Sequence, residues 1–383
     1  NGKAADFERN QRELTIKPAT ILPDEKPFTS IITYSGVPGE GVPGYYDVFA
    51  RGWTRYDKGV YVASEPNGAA FWYPVNDHPL DKATYTYKIT VPNPYIVAAN
   101  GQLKDVQKGD KISTYTWSTR DPLASYLAMV NIGDFVVQNA ESATGIPIRN
   151  YFPSNLSEKA TSAFSRLPDM VDYFSKIFGA YPFEAYGVVV ADTDLSFALE
   201  TQTMSLFGRS FSSRRNSNAE VVIAHELAHQ WFGDSVSLTR WKDIWLNEGF
   251  ATYASELWLE NSAGRDALDK QMRDYYGLLA NPALVGGSFS PPGNPPQEDL
   301  FNGGVYIRGA WTLHALRLHV GDAKFYKILQ TYYNTYKMGN ATTEDFIQVA
   351  SDVSQEDLKD FFDGWLMQKN VPDVPEMGLK RVN

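Results

Sequence analysis

Apolar and polar residues alternate through the first third of the chain. Residues 45–51 (YYDVFAR), 84–91 (TYTYKITV) and 111–118 (KISTYTWS) follow this period of two and are rich in Tyr, Thr and Val, which predicts half-buried strands. The turn-forming runs Val37-Pro38-Gly39, Pro66-Asn67-Gly68 and Asn100-Gly101 separate them. Residues 1–138 therefore read as an antiparallel β domain. Beyond residue 138 the period changes. Residues 157–178 carry Phe164, Leu167, Met170, Val171, Phe174 and Ile177 at helical spacing, and 186–191 (YGVVVA) are an apolar run expected to form a buried strand. Amphipathic helical patterns follow around 244–260, 263–280, 309–337 and 343–367, with Ser354 and Asp357 as a start signal within the last. Residues 286–296 (GGSFSPPGNPP) interrupt them as a loop. The predicted fold class is α+β, an antiparallel β-rich domain followed by a mainly helical domain over 139–383.

Composition narrows what such a chain can do. At 383 residues it exceeds one ordinary domain, which agrees with the division read from the pattern. Net charge is −10 with no dense run of Lys or Arg, which argues against nucleic acid or an anionic membrane surface as partner and favours cationic ligands, free amines among them. The absence of cysteine excludes thiol catalysis, disulfides and thiolate metal sites. A metal site must then be built from His, Asp or Glu, and there are only 5 histidines. Aromatic residues make up 14% of the chain and predict large aromatic cores or an aromatic-lined cleft. No apolar stretch approaches the roughly 20 residues of a membrane helix. The chain opens on Asn1 rather than Met and shows no signal-like segment, so its natural start is expected to lie upstream; cytoplasmic and secreted bacterial settings both fit.

Residues 221–233 (VVIAHELAHQWFG) carry the chemistry. Ser217 and Glu220 form a capping-box pattern ahead of them and Gly233 is a natural stop, which predicts a helix of about four turns. Positions four apart share a helix face, so His225 and His229 present both imidazoles to one point. Glu226 is one residue round, placed to meet a water on a metal rather than to bind the metal. Glu248 follows His229 after eighteen intervening residues, at the start of another helical pattern, and completes a set of two His and one Glu with a fourth position open. The alternative is two ordinary helix histidines and a solvated glutamate. It fits poorly with flanks as apolar as Val221, Val222, Ile223, Leu227, Trp231 and Phe232, because buried charges are paired or bound to metal. One zinc ion is the expected cofactor.

The run HELAHQWFGDSV followed by WLNEGFATY closely resembles the gluzincin aminopeptidases, the family of membrane alanyl aminopeptidase and leukotriene-epoxide hydrolase. Glu65-Pro66, Ala69, Pro74, Asp77, Pro79 and Lys82-Ala83 resemble a segment of that family's β domain, and Val305-Tyr306-Ile307-Arg308-Gly309 its Tyr-x-Lys-Gly segment. The ending FFDGWL at 361–366 is also similar. The resemblance implies a saddle-like β domain, with its front part lying before residue 1, and a thermolysin-like catalytic domain without the large C-terminal helical domain. It also implies that Tyr306 stabilises the oxyanion and that Glu200 binds the substrate's α-amine. Residues 196–201 (SFALET) align with the family's GxMEN motif, but Phe197, Leu199 and Thr201 stand where it has Gly, Met and Asn. Glu65 matches a position that also faces the amine.

The function expected is a zinc aminopeptidase acting on peptides with a free N-terminus. A zinc endopeptidase of similar construction is the near alternative, and a peptide-binding scaffold with weak catalysis a more distant one. His314, His319 and His78 read as ordinary helical or loop residues.

Overall fold

The computed structural model describes residues 2–24, 26–38, 51–213, 216–281 and 289–380. The strand expected over 45–51 falls on residues 45–50, outside the described residues, as do the side chain of Ser217 and residues 286–288 of the Pro-rich loop.

The N-terminal part is antiparallel. A hairpin of β1 (Asp6–Asn10) and β2 (Glu13–Lys17) is followed by β3 (Gly52–Tyr56), β4 (Gly59–Ala63), β5 (Thr86–Pro92), β6 (Ile96–Ala99), β7 (Gln102–Lys108), β8 (Ile112–Ser118) and β9 (Val130–Gly133). They form one sheet of order β3-β4-β9-β6 and another of order β5-β8-β7. β5 and β8 are two of the alternating runs, and Tyr87, Val91, Tyr115 and Trp117 are the buried apolar members of that alternation.

The run YGVVVA has no polar face, so both of its faces must be covered. It forms β12 (Tyr186–Ala191), which sits in a mixed sheet with β10 (Phe135–Glu141), β11 (Pro147–Pro153) and β13 (Ser205–Gly208). β10 pairs antiparallel with β11, and the other two pairings are parallel. Val188 and Val190 point into the large helical core, while Val189 and Ala191 point into a second core shared with Tyr61, Ala63, Met129 and Trp117 of the β domain. This sheet is the wall between the two halves of the molecule.

The helices are α1 (Glu158–Thr161), α2 (Leu167–Phe178), α3 (Asn216–Ala228), α4 (Trp245–Ala263), α5 (Arg265–Ala280), α6 (Gly309–Val320), α7 (Asp322–Tyr336), α8 (Thr343–Ser354) and α9 (Lys359–Leu366). The single helix expected over 157–178 is broken: α1 ends after one turn and α2 restarts with Pro168 in its first turn, where a residue without an N–H is tolerated. The long pattern over 309–337 is two helices because Gly321 turns the chain with φ +80°. Ser354 does not start a helix but ends α8. The reciprocal capping box is instead Thr342 with Asp345 at the start of α8.

Two close contacts bear on the position of the site residues. Lys82 reaches from the β domain to donate to the carbonyls of Asp234, Ser235 and Gly339 at 3.2, 3.1 and 2.9 Å, and its burial lowers its pKa to about 8. Gly249 in α4 and Gly309 at the start of α6 meet backbone to backbone: a Cβ on either would lie 2.8 Å from the other's Cα. Because Glu248 precedes one glycine and Tyr306 lies three residues before the other, this approach helps set their separation. Gly309→Ala is expected to destabilise the fold by ~1–3 kcal/mol through overpacking, read from a urea melt. An unchanged midpoint would remove the contact from the account.

Candidate metal centre

His225 and Glu226 lie in the last turn of α3. His229 is the next residue after it, still in helical register because its N–H bonds the His225 carbonyl at 3.3 Å. The two imidazole centroids are 4.8 Å apart. The helix stops earlier than expected. Gln230 and Trp231 bond three residues back, and Asp234, Ser235 and Val236 then bond five residues back, as the chain bends through Gly233 at φ +133°. The bend leaves the Phe232 carbonyl free to accept from His229 Nδ1 at 3.1 Å. A carbonyl can only accept, so Nδ1 carries a proton and Nε2 is the ring atom that faces the site.

Glu248 lies in the first turn of α4, where the helix N-terminus favours a carboxylate. Its Oε2 is 3.1 Å from His225 Nε2 and 3.5 Å from His229 Nε2. Tetrahedral zinc with bonds of about 2.0–2.2 Å spaces its ligand atoms by roughly 3.4 Å, so these separations fit a metal held between them. Thr252, one turn along α4, sits 3.5 Å from His225 Nδ1 through its Oγ1.

Three further carboxylates crowd this point. Donor atoms of Glu200, Glu226 and His229 lie within 4.8 Å of one another, and so do those of Glu65, Glu200 and Glu248. Glu65, Glu200 and Glu226 are 3%, 2% and 6% exposed, so water does little to screen them. Among the described residues, Glu65 Oε1 and Glu200 Oε1 have no hydrogen-bond partner. Burial pushes Glu65 and Glu226 well above the ordinary carboxylate range, and the neighbouring carboxylates add to the effect. Glu200 is raised too, by burial first. Burial would lower His229, but Glu200, Glu248 and Glu226 outweigh it and hold the imidazole up to about 10. Four buried carboxylates against two imidazoles demand positive charge, which a divalent cation and an ammonium group together would supply.

Tyr306 lies on a π-helical turn, Gly304–Arg308, that leads into α6. Its ring stacks on His225 with centroids 6.0 Å apart and planes inclined by 17°. Burial, then Glu248, Glu65, Glu200 and Glu226, raise its pKa well above 10, so it stays a hydrogen-bond donor. Arg308 anchors the turn. It is 1% exposed, and its guanidinium donates to the carbonyls of Gly364, Trp365, Gln368, Lys369 and Asn370 at the C-terminal end of α9.

All seven residues singled out in the sequence thus converge. Glu65 arrives just past β4, Glu200 on the loop before β13, His225, Glu226 and His229 from α3, Glu248 from α4 and Tyr306 from the π turn. His314 is buried with Nδ1 on the Tyr253 hydroxyl at 3.0 Å, and His319 pairs with Glu356 at 3.0 Å. Gln230 and Asp234, both 0% exposed, were not anticipated. The signal available was two polar residues inside an apolar run.

Residues 163–365 match the Peptidase family M1 domain, and residues 2–127 match the Peptidase M1 N-terminal domain. The chain is 28% identical over 348 residues to human glutamyl aminopeptidase, covering 84% of this chain and 35% of that protein. It is 29% identical over 345 residues to the probable aminopeptidase 2 of Sulfurisphaera tokodaii, covering 83% and 43%. It thus spans less than half the length of these two curated relatives. Among solved structures, an M1 zinc metallopeptidase mutant from Deinococcus radiodurans bound to a Tyr-Ser-Ala substrate superposes with a TM-score of 0.85 at 30% identity, covering 98% of this chain and 84% of that one. Among the described residues no helix is long and apolar enough to cross a membrane.

Proposed function

The chain belongs to peptidase family M1, whose zinc cofactor suits the donor set of this site, and from that premise we propose that it is an aminopeptidase releasing the N-terminal residue of peptides. One observation carries the aminopeptidase part. Beside the metal-binding trio, Glu65 and Glu200 each bury a carboxylate oxygen that has no partner among the described residues. A substrate ammonium satisfies both at once, and a cation between carboxylates gains most where water is excluded. A tripeptide bound to the Deinococcus radiodurans enzyme supports a peptide substrate.

His225, His229 and Glu248 would hold the zinc, which when bound would supply Lewis acidity toward water and the substrate carbonyl. Glu226 takes a proton from the attacking water and later gives it to the leaving amine. Burial makes it a stronger base than an exposed glutamate. Tyr306 donates its hydroxyl proton in a hydrogen bond to the carbonyl oxygen as charge develops there. Glu200 and Glu65 fix the ammonium, so the first peptide bond is the one brought to the nucleophile.

Glu200→Ala tests the amine assignment. It removes a charged hydrogen bond and is expected to lower kcat/KM on amino-acid amides roughly 10–100-fold, with most of the loss in KM and the zinc content kept. Unchanged selectivity for free over N-acetylated substrates in that variant would remove Glu200 from the recognition site.

A further inference from the structure

The carboxamide of Gln230, the residue after His229, has both donors and its oxygen engaged. Its Nε2 donates to the Glu200 carbonyl at 3.0 Å and to Asp234 Oδ2 at 2.8 Å. Its Oε1 accepts from the Thr203 N–H at 2.8 Å, and the Tyr181 hydroxyl lies 3.3 Å away with its one proton shared with the Ala185 carbonyl at 3.1 Å. Glu200 directly precedes a tight turn over Thr201–Met204, closed by the Met204 N–H on the Thr201 carbonyl at 3.0 Å and with Thr203, its third residue, at φ +69°. One side chain therefore ties the Glu200 carbonyl and the Thr203 N–H, on either side of Thr201 and Gln202, to the residue adjoining His229.

We propose that Gln230 is a positioning residue that sets the distance between the substrate's ammonium site and the metal, through the backbone of Glu200. The proposal rests on Glu200 binding the amine. The geometry favours this role over simple packing. An apolar side chain would fill the same space, but only a carboxamide offers two donors and an acceptor oxygen at one point. Phe197, Leu199 and Thr201 replace residues of the family's GxMEN motif, so an outside brace on this turn is of direct use here. Asp234 completes it by accepting from Nε2, which orients the amide so that the other N–H faces Glu200.

The test compares two inhibitors that differ only in the amine: leucine hydroxamate and 4-methylpentanohydroxamate. Both reach the metal through the hydroxamate, so the ratio of their Ki values reads amine recognition alone. The native chain is expected to favour leucine hydroxamate roughly 10–100-fold, the range of a charged hydrogen bond. In Gln230→Met the ratio should fall to a few-fold while zinc content and the Ki of the amine-free probe stay within about threefold. If Gln230→Met does not fold, Gln230→Glu carries the comparison. Its carboxyl keeps the acceptor for Thr203 and Tyr181 but cannot donate to Glu200 and Asp234 together, so a partial fall is expected. A native ratio retained in the variant, or both Ki values rising in step, overturns the positioning role. A native chain that does not distinguish the two probes overturns the reading of Glu200, and the brace with it.

Discussion

Glu226→Gln is expected to cut kcat on an amino-acid amide by roughly 10²–10⁴-fold while the chain keeps its zinc and its fold. The amide matches the carboxylate in shape but cannot take a proton, so the loss falls on the chemical step, with KM little changed. The fold should not suffer. Burial already disfavours the ionised form of Glu226, and Glu200 and Glu248 add repulsion, so a neutral side chain removes a cost. Thermal unfolding should therefore move upward or stay still. A kcat within tenfold of the native value would mean that another group does the proton transfer.

Glu248→Gln is expected to lose the metal itself. Burial opposes ionisation of Glu248, but His229 and His225 pull its pKa down to about 2, so it meets the metal as a full negative charge. An amide supplies no such charge and turns a donor N–H₂ toward the site. Zinc per chain should drop well below one after dialysis, and activity should fall at least as far as in Glu226→Gln, with partial recovery in excess zinc. The pair of variants separates holding the metal from using it: one keeps zinc without turnover, the other loses both. Full zinc occupancy in Glu248→Gln would shift the third ligand elsewhere, with Glu200, which groups with both His229 and Glu248, as a candidate.

What could be read from the sequence was local or periodic. YGVVVA announced a strand buried on both faces, and the His225–His229 spacing announced a shared helix face, because each depends only on neighbours along the chain. Glu248 was legible because it opens a helix pattern, a place that suits a carboxylate. The breaks were harder. The end of α3 at Ala228 is decided by the bend through Gly233, which changes backbone bonding from four residues back to three and then five. That bend frees the Phe232 carbonyl for His229, a detail of the metal site that no motif spells out. Ser354 with Asp357 had the form of a capping pattern but closes α8, since Gln355 turns the chain out of the helix at φ +61° with its N–H on the Ser351 carbonyl. The convergence of Glu65 with Glu200 depends on how the β domain sits on the central sheet, to which the Lys82 contacts contribute. The resemblance to a family pointed to those residues; composition and spacing alone did not.

The central claim is a zinc site that reads a free N-terminus. The most direct test is hydrolysis of one amino-acid amide and its N-acetyl counterpart by the full chain, with and without a chelator. The account predicts turnover of the free amide, at least roughly 100-fold less on the acetylated one, loss of activity with chelator and its return on adding zinc. Comparable cleavage of the acetylated substrate, or activity indifferent to the chelator, would contradict it.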